Sequence, residues 1–439
     1  MPQNSSTYVI GDVRDCLAAI PDGSIDLVMT SPPFLALRSY LPADHPDKHR
    51  EIGSEPDPAT FLDTLLLLTA EWGRVLAPHG SICVELGDTY SGSGGAGGDY
   101  NPDGLRDGQN GSTGSASRGR VGRVGKDRHP DGFSGRSSHG APGGSGWPLP
   151  KSLCGIPHLY HLSLAYGRNL LTGEESPAGR WRVRNVVAWC RPNPPVGALG
   201  DKFRPATSYM TIATRAQRRY FDLDAVRTAY DGPPPSGGTG MKSGVPRAAK
   251  GLESNPAGAP PLDYWVIPTQ PYSGSHYAVY PPALCERPIK AMCPAKVCTV
   301  CGAPSERIVE TTNAVGKAVG RAAWRGGTDG IGSGHSGDIA LTANDPRVPD
   351  VAIRETLGWT DCGHDSWRPG VVLDPFAGSG TTLMVANELE RDAIGFDLDE
   401  RNASLARDRV DKFLFSDFRA LSLDEFMEGA ALLAPKPSL

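Results

Sequence analysis

At 439 residues the chain can hold two to three domains, or one domain carrying large insertions. A formal charge of −5 excludes a molecule that is basic all over, so contact with a polyanion must come from a local patch. Nine cysteines, with Cys16, Cys83 and Cys190 alone in apolar runs, exclude a secreted disulfide framework. The start, MPQNSSTYVIGD, has no basic region followed by an apolar one, and the longest apolar run, Leu65 to Leu68, is far too short to span a membrane. A soluble, cytoplasmic protein is expected.

In chain order, residues 7–12 and 25–30 are short apolar runs between polar residues and predict buried strands. Residues 58–76 repeat apolar side chains at helical spacing until Pro78 and Gly80, and 81–86 predict a third strand. Residues 91–147 are dominated by Gly and Ser, with basic residues such as Arg118, Arg120 and Arg123. So few large apolar groups cannot offset the entropy of ordering, which predicts a mobile loop able to meet a phosphate backbone. Residues 181–190 predict a strand, 231–260 and about 311–345 are poor in structure, and 371–374, 380–390, 393–397 and 399–413 predict strand, helix, strand and helix. Alternating strands and helices at both ends argue for an α/β domain with a largely parallel sheet and an accessory middle.

Residues 371–382, VVLDPFAGSGTT, predict a strand, a glycine turn and a helix start. Glycines let a backbone approach a ligand, and a helix N-terminus offers free N–H groups. A phosphate-binding loop would need Gly-Lys-Ser/Thr, but Thr381 follows Gly380; a dinucleotide turn would need a third glycine where Leu383 stands. An adenosyl amino acid remains. The turn Pro375, Phe376, Gly378, Ser379, Gly380 and Thr381 would hold it, with Asp374 on its ammonium and Asp397, at the end of the next strand, on its ribose.

Ser31, Pro32, Pro33 and Phe34 follow the strand IDLVMT. Two prolines fix φ and leave a stiff corner with outward carbonyls. The lone pair of an exocyclic amine is delocalised into its ring. Acceptors for both amine protons, here Ser31 Oγ and the Pro32 carbonyl, favour a pyramidal nitrogen with a usable lone pair. Phe34 can stack on the base, which must first leave the duplex. C5 chemistry would need a nucleophilic cysteine presented as Pro-Cys, whereas the adjacent pair here is Cys293-Pro294.

With TSPPF preceding DPFAGSGTT and a recognition region between, the chain resembles the β group of bacterial and phage DNA amino-methyltransferases. The resemblance implies S-adenosyl-L-methionine as cofactor, double-stranded DNA as substrate, and the Rossmann-like methyltransferase fold. That fold is a doubly wound, mostly parallel α/β sheet, here with loop-rich recognition insertions. By similarity Asp12 lies near the cofactor adenine. Residues 185–195 resemble the base-pocket block, with Trp189, Asn193 and Pro194 near the base. Residues 263–292 resemble the block before the cofactor motif, where His276, Tyr280 and Pro281 wall the methionine end. Ser in SPPF leans towards cytosine N4. Adenine N6 is the alternative, and a methyltransferase-like DNA-binding protein without turnover is the alternative of another class. Many such enzymes pair with a restriction enzyme.

Cys298 and Cys301, then Cys362 and His364, form two short pairs around a long loop, a pattern that can make a tetrahedral zinc site, with Cys293 in reserve. The expected organisation is a catalytic half (1–90), a glycine-rich DNA-contacting loop (91–150), a continuation with the base-pocket block (151–225) and a recognition region (226–262). The block before the cofactor motif (263–297), a zinc-stapled insertion (298–365) and a cofactor-binding half (366–439) follow.

Overall fold

The computed structural model describes residues 4–37, 40–41, 44–91, 146–194, 201–228, 258–270, 279–314, 351–410 and 416–430. The glycine-rich stretch 92–145 and His276 lie outside the described residues. The elements in order are β1 (Asn4–Ile10), α1 (Val13–Ala19), β2 (Ile25–Thr30), α2 (Pro58–Val75), β3 (Leu76–Leu86), α3 (Ile156–Tyr166), β4 (Arg182–Cys190) and β5 (Thr207–Thr214). After these come β6 (Tyr264–Val266), α4 (Pro282–Met292), β7 (Val297–Cys298), β8 (Arg307–Ala314), β9 (Val351–Trp359), β10 (Trp367–Arg368) and β11 (Val371–Asp374). The chain closes with α5 (Thr381–Glu388), β12 (Asp392–Asp397), α6 (Arg401–Val410), β13 (Ser416–Ser422) and α7 (Leu423–Ala430).

Nine strands make one sheet in the order β13-β1-β12-β11-β2-β3-β5-β4-β6, in which β5 alone runs against the rest. Every residue of β2, IDLVMT, is buried, as a strand with both faces covered must be. Helix α2 is capped by Asp57, whose side chain accepts from Thr60 N, and begins with Pro58. Its apolar residues recur on one face, and Phe61, Leu62, Leu65, Leu66, Trp72 and Val75 are buried in the core. Each such side chain contributes about 1.5–3 kcal/mol. The helices α1, α3, α4 and α7 and the strands β5 and β13 are additions to the elements expected from the sequence, and β3 starts five residues earlier, at Leu76.

Two units are distinguishable: 1–221 with 262–305 and 362–439, which contains the sheet, and 222–261 with 306–361. Within the second, β8 and β9 pair antiparallel and Arg307 forms an ion pair of 2.8 Å with Asp222.

Asp26 ties down the entry edge of the sheet. It is fully buried and accepts from Arg368 at 2.6 Å, His79 at 2.9 Å and the Val371 backbone N–H at 2.7 Å, so the starts of β2 and β11 share one carboxylate. Burial alone would raise its pKa, but hydrogen bonds and charge from His79 and Arg368 hold it below the ordinary aspartate value. Asp26→Ala should therefore lower stability by about 3 kcal/mol, because it strands two donors and a partly buried guanidinium. Urea unfolding would measure the loss; an unchanged midpoint and slope would contradict this role.

Candidate active site

The strand order reverses between β11 and β2. From β11 the chain passes through α5 to β12 on one side, and from β2 it passes through α2 to β3 on the other. Such a switch point leaves a crevice outside the carboxyl ends of the strands. The two motifs expected to carry the chemistry both end there, since Ser31 follows β2 and the glycine turn follows β11.

One buried hydrogen bond joins them. Thr30 Oγ1 donates to Asp374 Oδ1 at 2.6 Å, across 344 residues of sequence. The other Asp374 oxygen accepts from Tyr280 at 2.9 Å and Thr382 at 2.5 Å, and the Phe376 N–H adds a bond at 3.1 Å. Asp374 has no exposed surface. Its carboxylate is engaged by four protein donors, with burial pushing its pKa up. Tyr280 is likewise a clamp, bound to Asp374 and to Thr382, and Pro281 caps the start of α4.

The turn is held from both sides. Gly378 (φ +49°) donates its N–H to Asp397 Oδ2 at 2.9 Å, and its carbonyl accepts from Tyr8 at 2.8 Å. The hydroxyls of Ser379 and Thr381 face Arg409 of α6 and are buried, so these two side chains do not open onto the crevice, and only their backbone remains to meet a ligand. Pro375 is buried and Phe376 packs against the core. Asp397 also accepts from Asp399 N at 2.8 Å and Asn402 Nδ2 at 3.1 Å, and burial raises its pKa to about 6. Asp12 stands at the same edge, beyond β1, as the N-cap of α1 and in an ion pair with Arg50 at 3.1 Å.

On the β2 side, Ser31 Oγ donates to Glu85 Oε2 at 2.5 Å. Glu85, at the end of β3, is 2% exposed, and burial pushes its pKa up. Glu85 also interacts with the buried Ser208 hydroxyl and with Arg191, although its Oε1, Ser208 Oγ and Arg191 Nε complete no hydrogen bond of good geometry among the described residues. Buried polar atoms with incomplete hydrogen bonding are rare, so a group of them at the carboxyl end of β3 is notable. Phe34 lies against Gly87, where a Cβ would sit 2.6 Å from the ring, so glycine is needed there for the aromatic to seat. Pro32 is buried and Pro33 half-buried.

The base-pocket block is more structural than expected. Trp189 is buried, its indole N–H donates to Ile267 O at 2.8 Å, and Arg191 stacks 5.0 Å from its ring centre. Asn193 bonds Thr269 twice, through Nδ2 at 3.0 Å and Oδ1 at 2.8 Å, so its amide fixes a loop instead of offering free groups. Pro194 is half-buried beside it. Glu85, Arg191, Asn402 and Arg409 were not singled out from the sequence. Glu85 was the one within reach, as an acid in an otherwise apolar strand.

A sheet of this order, with a glycine turn at its switch point and a proline-stiffened corner beside it, defines a Rossmann-like methyltransferase. Residues 25–296 and 366–408 match the DNA methylase family of N6 and N4 enzymes, which is more than half of the chain. The protein belongs to that family and is an S-adenosyl-L-methionine-dependent DNA amino-methyltransferase. It is similar to the type II methyltransferase M.SmaI of Serratia marcescens, at 22% identity over 92% of this chain and 91% of the relative. It is also similar to M.XycI of Xanthomonas campestris pv. cyanopsidis, at 24% identity over 92% and 87%. A solved structure, the cytosine-N4-specific PvuII DNA methyltransferase, aligns with 98% of this chain and 95% of its own, at 15% identity and a TM-score of 0.43.

Gly380 offers a direct test of the turn. It has φ +75°, and a Cβ there would lie 2.8 Å from the Ala406 Cβ on α6. Gly380→Ala should cost roughly 2 kcal/mol of stability and weaken cofactor binding, because the strain and the clash can be relieved only by moving the turn. Thermal unfolding and calorimetric titration with S-adenosyl-L-methionine would measure both, and wild-type values in both would contradict the geometry.

Proposed function

We infer that the chain is a site-specific DNA methyltransferase that modifies cytosine N4 in double-stranded DNA, working on a base turned out of the helix. The observation that carries this reading is the Ser31–Glu85 hydrogen bond, made by a buried carboxylate that Ser208 and Arg191 also approach. With its own proton directed to Glu85, Ser31 Oγ presents lone pairs to the crevice. Together with the Pro32 carbonyl it accepts both protons of the amine, localising the nitrogen lone pair. Arg191 and Ser208 stand ready for the polar edge of the ring, and Phe34 for its face.

S-adenosyl-L-methionine supplies a methyl group on a sulfonium. The backbone of Gly378–Gly380 and the N-terminus of α5 would receive its amino-acid end, and Asp397 and Asp12 its ribose and adenine. Transfer of that methyl would break its bond to sulfur, leaving a neutral thioether, and the amine nitrogen that gains it must shed one proton. Ser31 takes it while passing its own to Glu85, whose raised pKa makes it the better acceptor. The rest is positioning, with the stiff corner and the turn fixed at one edge. A serine in the corner where adenine enzymes more often carry an aspartate favours cytosine. The type II relatives favour a cognate restriction enzyme as a partner in the cell.

DNA methylated by the pure protein, digested to nucleosides and analysed by mass spectrometry, should contain N4-methylcytosine; N6-methyladenine in its place would overturn the base assignment. Ser31→Ala should lower kcat on the order of a hundredfold with little change in cofactor affinity. Glu85→Gln should lower kcat as well, with losses that do not add in the double variant. Full activity in Ser31→Ala would remove the serine from the chemistry.

The Asp397 carboxylate has a pH signature. It is ionised above about pH 6 and protonated below. Cofactor affinity should hold above that value and weaken as the pH falls through it, and Asp397→Asn should bind weakly with a flat profile. A wild-type profile that is flat between pH 5 and pH 8 would contradict its place on the ribose.

A further inference from the structure

The chain leaves the sheet-bearing unit after Ser305 and returns at Cys362. Cys298 and Cys301 lie in the turn after β7, and Cys362 and His364 in the loop before β10. The two short strands pair antiparallel, Cys298 with Trp367 and Val297 with Arg368. Across them Thr299 Oγ1 and Ser366 Oγ meet at 2.6 Å. One ligand-capable atom from each of Cys298, Cys301, Cys362 and His364 lies within 4.8 Å of all the others. His364 Nδ1 is 3.5 Å from Cys298 Sγ and 3.3 Å from Cys362 Sγ.

A zinc ion with bonds of about 2.3 Å to sulfur and 2.0 Å to nitrogen has tetrahedral edges of about 3.5–3.8 Å. The observed separations are of that size. The backbone N–H groups of Val300 and Cys301 point at Cys298 Sγ from 3.4 and 3.5 Å, as they would to support a thiolate. Gly302 (φ +69°) and Gly363 (φ +80°) let each short loop fold back on its ligands. Cys293, the reserve ligand of the sequence reading, is buried against Gly370 and outside this group.

We propose that Cys298, Cys301, Cys362 and His364 hold a structural zinc ion that clips β7 to β10 and so fixes where the chain enters the cofactor-binding strand. Three thiolates and an imidazole select zinc over harder cations. The consequence runs along the backbone. Trp367–Arg368 is held by the clip, Arg368 donates to Asp26 at 2.6 Å, and Val371 N donates to the same carboxylate at 2.7 Å, so β11 starts in register beside β2. The site stands at the entry edge of the sheet, and methyl transfer from a sulfonium needs no Lewis acid. Its role is therefore stabilisation.

The full-length, untagged protein, purified without chelator, should contain one zinc per chain by elemental analysis. Cys301→Ser with Cys362→Ser should lose it. Because that variant can misfold, wild-type protein exchanged with cobalt provides a second readout: thiolate-to-metal charge transfer and the visible bands of a tetrahedral ion. Its three cluster thiols should react with a thiol reagent only after chelation. Cleavage by protease at 299–305 and 360–366 should increase when the metal is removed. Metal-free protein that takes up neither zinc nor cobalt, thiols that react freely without chelator, or a folded double variant that keeps its zinc would each overturn the proposal.

Discussion

Thr30 and Asp374 meet across the seam between β2 and β11, and the position of every group in the crevice depends on that contact. The seam itself is short, with Val372 opposite Leu27 and Leu373 opposite Val28. A buried carboxylate is unfavourable by several kcal/mol unless it is fully hydrogen-bonded. Asp374 meets that condition with donors from the catalytic strand, from Tyr280 ahead of α4, from α5 and from its own turn. The corner carrying Ser31 and the turn carrying Gly378 are thus attached to one rigid carboxylate, with Thr30 and the Phe376 N–H on Oδ1 and Tyr280 and Thr382 on Oδ2. Loss of any donor leaves an orphan worth about 1–3 kcal/mol in the place where the two halves must register.

The edge is graded in polarity. Towards β1 it carries Asp397 and Asp12, acids suited to hydroxyl and amino groups. Towards β3 and β5 it carries Glu85, Ser208 and Arg191, a carboxylate, a hydroxyl and a guanidinium gathered together. Asp374 lies between them, out of solvent.

Much of this was legible in the sequence because it is local. A fully apolar IDLVMT, a VVLD followed by Gly-x-Gly, and an acid closing AIGFD each state their own structure through periodicity and turn chemistry. Ser31 and the turn could be placed at one edge because strands followed by chemistry-bearing loops end at the same side of a parallel sheet. The surroundings of Asp374 were not legible for a physical reason: which donors meet a carboxylate is decided by residues as distant as Thr30 and Tyr280, and no spacing encodes it. Glu85 was passed over on the same ground, since an acid among apolar residues gains meaning only when a serine 54 positions earlier turns towards it. The polar groups of Trp189 and Asn193 are engaged by Ile267 and Thr269, partners that only the folded chain reveals. Helices α1, α3 and α4 were missed because each is short or interrupted by proline, as α4 is at Pro288, and leans on the sheet for stability instead of on its own pattern.

Strand β1 has one further implication. Both of its sheet neighbours, β12 and β13, are encoded after residue 391, in the last eighth of the chain. During synthesis β1 therefore emerges more than 380 residues before either partner exists, and its pairing is a contact of high sequence separation. A truncated product cannot close this sheet, so a ribosome-bound or prematurely terminated chain lacks a complete crevice.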